Sequence, residues 1–145
     1  MDQPFYEICT MDRARNLAFV LRLFGFAGML ATVAVFMPMS WMAFAHERLG
    51  LGPMPTDPVV QYLARSLSAF YALTGALCLV LAGDVRRYRP VIQCLGIAVV
   101  VFGIVLVWIG WKSELPWWWT AGEGPPTAVF GAVIFWLAMD PDAGP

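Results

Sequence analysis

The sequence predicts an all-α integral membrane protein, a single domain of four transmembrane helices packed into a bundle. Of the 145 residues, 60% are apolar and 13% are charged, whereas a soluble domain is about half apolar and a quarter charged. The apolar residues form four long runs, and three of them have the ~20 residues that a helix needs to cross a bilayer core about 30 Å thick. The formal net charge is only −1, so nothing suggests a nucleic acid partner.

The four runs predict transmembrane helices over residues 17–39, 62–83, 91–111 and 125–139. The first run is much longer than the roughly 7 to 15 apolar residues of a signal peptide, so we expect it to remain as a membrane helix. The fourth run has only about 15 residues, which rise about 22 Å. It must therefore begin inside the loop before it, thin the bilayer, or be held by neighbouring helices.

Three connections join these helices: outer loops over residues 40–61 and 112–124, and an inner loop over residues 84–90. Ser40 stands where a helix N-cap would, and a glycine follows Leu49. The first outer loop is therefore predicted to contain a short helix lying at the membrane interface.

The basic residues predict the orientation. Arginines precede or open the first helix and fill the inner loop, and few basic residues lie on the other side. Because positively charged loops stay in the cytoplasm, both termini and the inner loop are expected inside. Most of the tryptophans then lie at the outer interface, where indole rings prefer the headgroup level. The inner set is Arg13, Arg15, Arg22, Arg86, Arg87 and Arg89, and the outer set is Arg48, Arg65 and Lys112.

Small residues mark the faces on which the helices are expected to pack. Helices in a bilayer associate by close contact of small residues, because lipid tails are as apolar as leucine. In the third helix the glycines recur every seven residues, which keeps them on one face. The predicted faces, in chain order, are Gly25, Gly28 and Thr32; Ala69, Ala72, Ala76 and Gly83; Gly96, Gly103 and Gly110; and Gly124, Ala128, Gly131 and Ala138.

Arg65 is the residue most suggestive of function, because a charge inside a membrane helix is costly and often belongs to a site. One interpretation is an outer pocket that holds an anionic headgroup, a quinone or a small acid beneath the "PWWWT" segment. The other is a structural salt bridge between Arg65 and Glu123 that fixes the outer loops. The residues of the predicted pocket are Arg65, Glu123, His46, Trp117, Trp118 and Trp119.

Other reactive residues give weaker signals. His46 is the sole histidine, so neither a metal site nor a haem is predicted. Cys78 and Cys94 are expected at similar depth near the inner face, where they could form a redox dithiol or simply fill space as small apolar residues. The chain contains no phosphate-binding, zinc-protease or nucleophile-elbow motif, so no catalytic residue is predicted and a non-catalytic role is favoured.

The runs "QYLARSLSAFYALTGALCLVLAGDVRRYRPVI" (residues 61–92) and "VLRLFGFAGML" (residues 20–30) resemble the small four-helix bacterial membrane proteins of the DoxX-like and related groups. The resemblance implies a multi-pass protein of the bacterial inner membrane. Some DoxX-type proteins are linked to thiosulfate or quinone redox chemistry, but no catalytic residue carries over to this chain.

The function predicted from the sequence is that of a non-catalytic structural or accessory subunit of a membrane assembly. Its expected partners are the lipid bilayer and other membrane-protein subunits. One alternative is a protein that binds a lipid, a quinone or a small anion in the pocket around Arg65. The other is a quinone-linked redox enzyme that uses Cys78 and Cys94. No cofactor is predicted, and a quinone or a lipid would be the candidate ligand.

Overall fold

The computed structural model describes residues 3–139, with side chains from residue 12 onward. This part of the chain is helical, without strands. The helices are α1 (Gln3–Phe36), α2 (Met39–Arg48), α3 (Pro58–Leu81), α4 (Arg89–Lys112) and α5 (Trp117–Ala138).

Three of the described helices are long and apolar enough to cross a membrane, over Asp12–Phe36, Pro58–Leu81 and Arg89–Lys112. They confirm the first three apolar runs as membrane-spanning candidates. Large apolar side chains are widely exposed on them, including Phe36 at 80% and Leu30 at 71%. Such a surface is suited to lipid rather than to water.

The last helix begins at Trp117 rather than near Pro125, so its start lies inside the predicted outer loop. Its 22 residues rise about 33 Å, but α5 is not one of the three described helices that are long and apolar enough to cross a membrane. Pro116 has an extended ψ of 135° and is the residue directly before the helix. The three tryptophans that follow it therefore form the first turn of α5. Pro125 and Pro126 lie inside the helix. The apolar run alone therefore underestimated the length of the fourth segment.

The short helix predicted in the first outer loop is present as α2, and its place at a membrane interface stays a prediction. It begins one residue before Ser40, after Pro38 with ψ of 143°, and no side chain caps it. The prediction that Ser40 is the N-cap was therefore wrong, because proline sets the start. At the other end Gly50 has φ of 71°, and its amide donates to the carbonyl of Glu47 while Leu51 donates to that of His46. These bonds form a Schellman motif.

The chain divides into two compact units. The central unit is Arg22–Val80, and it holds the second half of α1, α2 and nearly all of α3. The terminal unit combines Met1–Leu21 with Leu81–Pro145, and it holds the first half of α1 together with α4 and α5.

In the terminal unit, α4 and α5 run antiparallel with their backbones in contact along a glycine seam. Its residues are Gly96, Gly103 and Gly110 on α4 and Thr120, Gly124, Ala128 and Gly131 on α5. A β-carbon added to Gly103 would lie 2.5 Å from the amide nitrogen of Ala128, and one added to Gly131 would lie 2.7 Å from the carbonyl oxygen of Gly96. The seven-residue glycine face of α4 and the small face of α5 are thereby confirmed, and they face each other.

Nearly all of the buried apolar side chains belong to the terminal unit. They come from the part of α1 before Arg22, from the end of α3, from the start of α4 and from the end of α5. They are Leu17, Leu21, Leu81, Ala82, Ile92, Ile134, Leu137 and Ala138. The buried apolar cluster therefore lies at the end of the glycine seam where Gly96 meets Gly131.

In the central unit, α1 and α3 meet at the Gly75 crossing, formed by Gly25 and Gly28 on α1 and Gly75 on α3. A β-carbon on Gly75 would lie 2.7 Å from the carbonyl oxygen of Gly25 and 2.8 Å from the amide nitrogen of Met29. Gly25 and Gly28 were predicted. On α3 the close backbone contact is made by Gly75, which was not predicted, whereas of the predicted face Ala72 and Ala76 are half-buried and Ala69 is exposed.

Candidate functional site

Arg65 lies beside an open groove in the central unit, about 10 Å along α3 from Pro58 by helix rise. The groove has a volume of about 470 Å³, within the range of small-molecule sites, about 300 to 1,000 Å³. The Arg65 groove is lined by Val35 of α1 and, on α3, by Pro58, Gln61, Tyr62, Arg65, Ser66 and Ala69. Among these described lining residues Arg65 is the charged one and none is acidic, so the groove favours an anion.

The guanidinium of Arg65 is only partly used within the protein. Its Nη2 donates to the carbonyl oxygen of Met37 at 3.4 Å, which is long for a hydrogen bond. Met37 directly follows the last residue of α1, where the helix leaves carbonyl groups without partners and the dipole is negative. Arg65 is exposed and carries five N–H donors, so most of its hydrogen-bonding capacity faces outward.

Neutral polar side chains stand near Arg65 in the groove. The side chain of Gln61 donates to the carbonyl oxygen of Thr56 at 3.4 Å. Ser66 donates to the carbonyl of Leu63 at 3.1 Å, which leaves its hydroxyl oxygen as an acceptor. The groove can therefore bind and orient a ligand, and it offers no general base among its lining residues.

The tryptophans and Glu123 form a separate arrangement at the start of α5, in the terminal unit. The indole Nε1 of Trp119 donates to Oε2 of Glu123 at 3.0 Å, one helical turn away. Trp118 meets Trp119 edge to face with ring centroids 5.8 Å apart, and Trp117 is 80% exposed. Trp119 therefore holds the carboxylate, while the side chain of Trp117 stays exposed.

The residues of the predicted pocket fall in different units. Arg65 and His46 belong to the central unit, whereas Glu123, Trp117, Trp118 and Trp119 belong to the terminal unit. Arg65 and Glu123 each have a neutral hydrogen-bond partner within their own unit. Their ion pair stays a prediction.

His46 closes the turn after α2. Its Nδ1 donates to the carbonyl oxygen of Gly52 at 2.8 Å, and Gly52 has φ of 81°, a backbone conformation that suits glycine. The histidine thus has a structural bond to the loop. The described residues contain no group of three His, Cys, Asp or Glu side chains able to hold a metal ion.

The two cysteines considered for redox chemistry are both free thiols. Cys78 is buried and Cys94 is exposed. They belong to the central and the terminal unit respectively, so a dithiol between them stays a prediction.

Two polar residues of α4 that the sequence interpretation missed fasten the end of α5. The carbonyl oxygen of Ala138 accepts from Nε of Arg89 at 3.0 Å and from Nε2 of Gln93 at 2.9 Å. Because a helix C-terminus carries unpaired carbonyls and a negative dipole, a cation and an amide there stabilise it. The signal in the sequence was the i, i+4 spacing of Arg89 and Gln93 in an otherwise apolar helix.

No protein-family model matches this chain, and neither does any curated protein or solved structure with which it was compared.

Proposed function

We propose that this chain is a multi-pass protein of the bacterial inner membrane, with four transmembrane helices and both termini in the cytoplasm. In this proposal it acts as a non-catalytic accessory subunit bound to another membrane protein. The observation that carries the proposal is the outward face of α5, defined by Gly122, Pro125, Pro126 and Val129.

The outward face of α5 is exposed. All four of its residues are exposed, and they lie on the side of the helix opposite the seam residues Gly124 and Gly131. A β-carbon added to Gly122 would meet no described heavy atom within 4 Å. A neighbouring helix could therefore approach the backbone of α5 closely at Gly122.

Two of the usual helical hydrogen bonds cannot form in this part of α5. Proline has no N–H, so Pro125 and Pro126 cannot make the i→i−4 bonds that would end on the carbonyls of Ala121 and Gly122. An unsatisfied carbonyl facing lipid costs several kcal/mol. A transmembrane helix of a partner protein can supply donor side chains to these carbonyls, and lipid tails cannot.

The use of polar side chains supports a structural role. The hydroxyls of Ser68, Thr74 and Thr127 each donate to a carbonyl four residues earlier in their own helices. Gln93 fastens a helix end. These groups are committed to the backbone rather than directed into a reactive site, which favours a scaffold over an enzyme.

Site-specific photo-crosslinking in native membranes tests the partner. A photoreactive residue at Val129 is expected to give a discrete adduct with a second protein, whereas the same residue at Ile104, an exposed position of α4 (60%), should give lipid adducts only. Lipid adducts alone at Val129 would overturn the proposal. An adduct with a second copy of this chain would also overturn it, because the partner would then be the protein itself.

Cysteine labelling tests the proposed orientation in the membrane. A cysteine introduced at Arg86 in a variant without other cysteines should react with a membrane-impermeant maleimide only after the cells are permeabilised. A cysteine at Glu114, placed in the outer connection by the same proposal, is the matched control and should react in intact cells. The reverse pattern would contradict the proposed orientation.

A further inference from the structure

We propose that the Arg65 groove binds an anionic phospholipid, with the lipid phosphate on Arg65 and an acyl chain along Val35 and Ala69. This inference concerns the central unit and does not depend on the accessory-subunit proposal, which rests on α5. We propose a lipid rather than a free anion because the groove combines a cation with apolar walls.

Arg65 supplies the anion contact. A guanidinium presents its donors as a planar fork that matches two oxygens of a phosphate. The bond that it donates to the carbonyl of Met37 is 3.4 Å long and therefore weak. A phosphate can replace or share that contact with a stronger charge-assisted one.

The neutral residues define the headgroup end of the groove. Gln61 and Tyr62 lie one turn nearer to Pro58 than Arg65 does, and Tyr62 is 69% exposed. An amide and a phenol can hydrogen-bond the hydroxyl or ester oxygens of a headgroup. Since none of the described lining residues is acidic, the phosphate meets no repulsion from the groove itself.

The apolar residues explain why the ligand is a lipid rather than a free anion. Val35 and Ala69 line the groove, and Leu73, one helical turn beyond Ala69 on α3, is 66% exposed. The groove is therefore continuous with an apolar surface suited to acyl chains. Inorganic phosphate would use only the Arg65 end, whereas a phospholipid uses both ends.

The test measures thermal stabilisation of the purified full chain in mixed micelles containing either phosphatidylglycerol or phosphatidylcholine. The wild type is expected to bind phosphatidylglycerol more tightly, and Arg65→Gln should weaken that binding about tenfold, as loss of a charge-assisted hydrogen bond implies. Arg48→Gln is the matched control, because Arg48 stacks on Phe44 at 4.7 Å and does not line the groove. Arg65→Lys should retain part of the preference, which separates loss of charge from loss of folding.

A second variant separates lipid from a free anion. Ala69→Leu fills the apolar part of the groove and should weaken phosphatidylglycerol binding while leaving Arg65 in place. The proposal is overturned if Arg65→Gln and Arg48→Gln lose the lipid preference equally, or if neither loses it. It is also overturned if inorganic phosphate stabilises the wild type as much as the lipid does, or if a long-chain quinone competes with phosphatidylglycerol equally well in wild type and Arg65→Gln.

Discussion

Two helix pairs in this protein use glycine for close contact, and they use it differently. In the glycine seam of the terminal unit, the α4 glycines follow one another every seven residues from Gly96 to Gly110, a rise of about 21 Å. In the central unit the Gly75 crossing is a single point, where Gly75 lies against Gly25 and Gly28. A heptad spacing keeps one helix face against its partner over its whole length, whereas one glycine permits only a local approach.

The contacts in the seam are reciprocal. The position of a β-carbon on Gly96 lies 3.0 Å from the carbonyl oxygen of Gly131, and that on Gly131 lies 2.7 Å from the carbonyl oxygen of Gly96. Each glycine therefore directs a Cα hydrogen at the other's carbonyl, the geometry of weak Cα–H···O contacts. The seam repeats this contact along both helices, while the central unit leaves room for an open groove beside Arg65.

The largest effect is expected from a methyl group in the middle of the seam. Gly103→Ala would place a β-carbon 2.5 Å from the amide nitrogen of Ala128, and backbone atoms cannot turn away as a side chain could. The free energy of unfolding in detergent should fall by about 1 to 3 kcal/mol, the range for overpacking.

Gly122→Ala is the matched control, because it is the same substitution on an exposed helical position with open space around the β-carbon. It should be neutral or stabilise by up to about 1 kcal/mol, since alanine is the better helix former. Equal losses from the two variants would show that the seam is not in contact as described.

A smaller loss is expected at the Gly75 crossing. Gly75→Ala would bring a β-carbon to 2.7 Å from the carbonyl oxygen of Gly25. However, α1 and α3 can separate locally at this one crossing without the whole helix pair coming apart. We expect about 1 to 2 kcal/mol of destabilisation, measured by the same unfolding assay. A loss larger than that of Gly103→Ala would reverse the comparison between the two units.

The glycine seam was predictable because the seven-residue spacing of Gly96, Gly103 and Gly110 is local information that fixes one helix face. The Gly75 crossing was not, because the alanines of α3 have a similar period and only the position of the partner helix decides between the faces. For α5 the predicted bounds began at Pro125, and a start inside the preceding loop was one of three alternatives, because hydropathy does not report that the tryptophans before Pro125 can be helical.

The candidate site around Arg65 was also predictable only in part. An arginine within an apolar run identifies Arg65 as unusual, and the structure places it beside a groove. Its hydrogen-bond partner is the backbone carbonyl of Met37, and no residue type in the sequence encodes a backbone acceptor 28 positions away.

The hydrogen bonds from Arg89 and Gln93 to the carbonyl of Ala138 at the end of α5 should contribute less than either glycine contact. Gln93→Leu removes one of the two donors to the carbonyl of Ala138, and Arg89 keeps the other. We expect a loss of about 0.5 to 1.5 kcal/mol, the net contribution of a typical hydrogen bond. Gln61→Leu, which removes an exposed bond of 3.4 Å, is the control. The two substitutions should differ in the unfolding assay, and equal effects would mean that the bond from Gln93 does not stabilise the end of α5.

The smallest change in the free energy of unfolding is expected from the turns that end α4 and α2. Both turns are Schellman motifs, but the left-handed position is Glu114 with φ of 53° in one and Gly50 with φ of 71° in the other. After α4, Leu115 donates to the carbonyl of Gly110 and Glu114 to that of Trp111. Because a side chain is strained at positive φ, Glu114→Gly should stabilise the protein by about 0.5 to 1 kcal/mol. Gly50→Ala should destabilise it by a similar amount, and effects of the same sign would show that backbone strain does not distinguish the two turns.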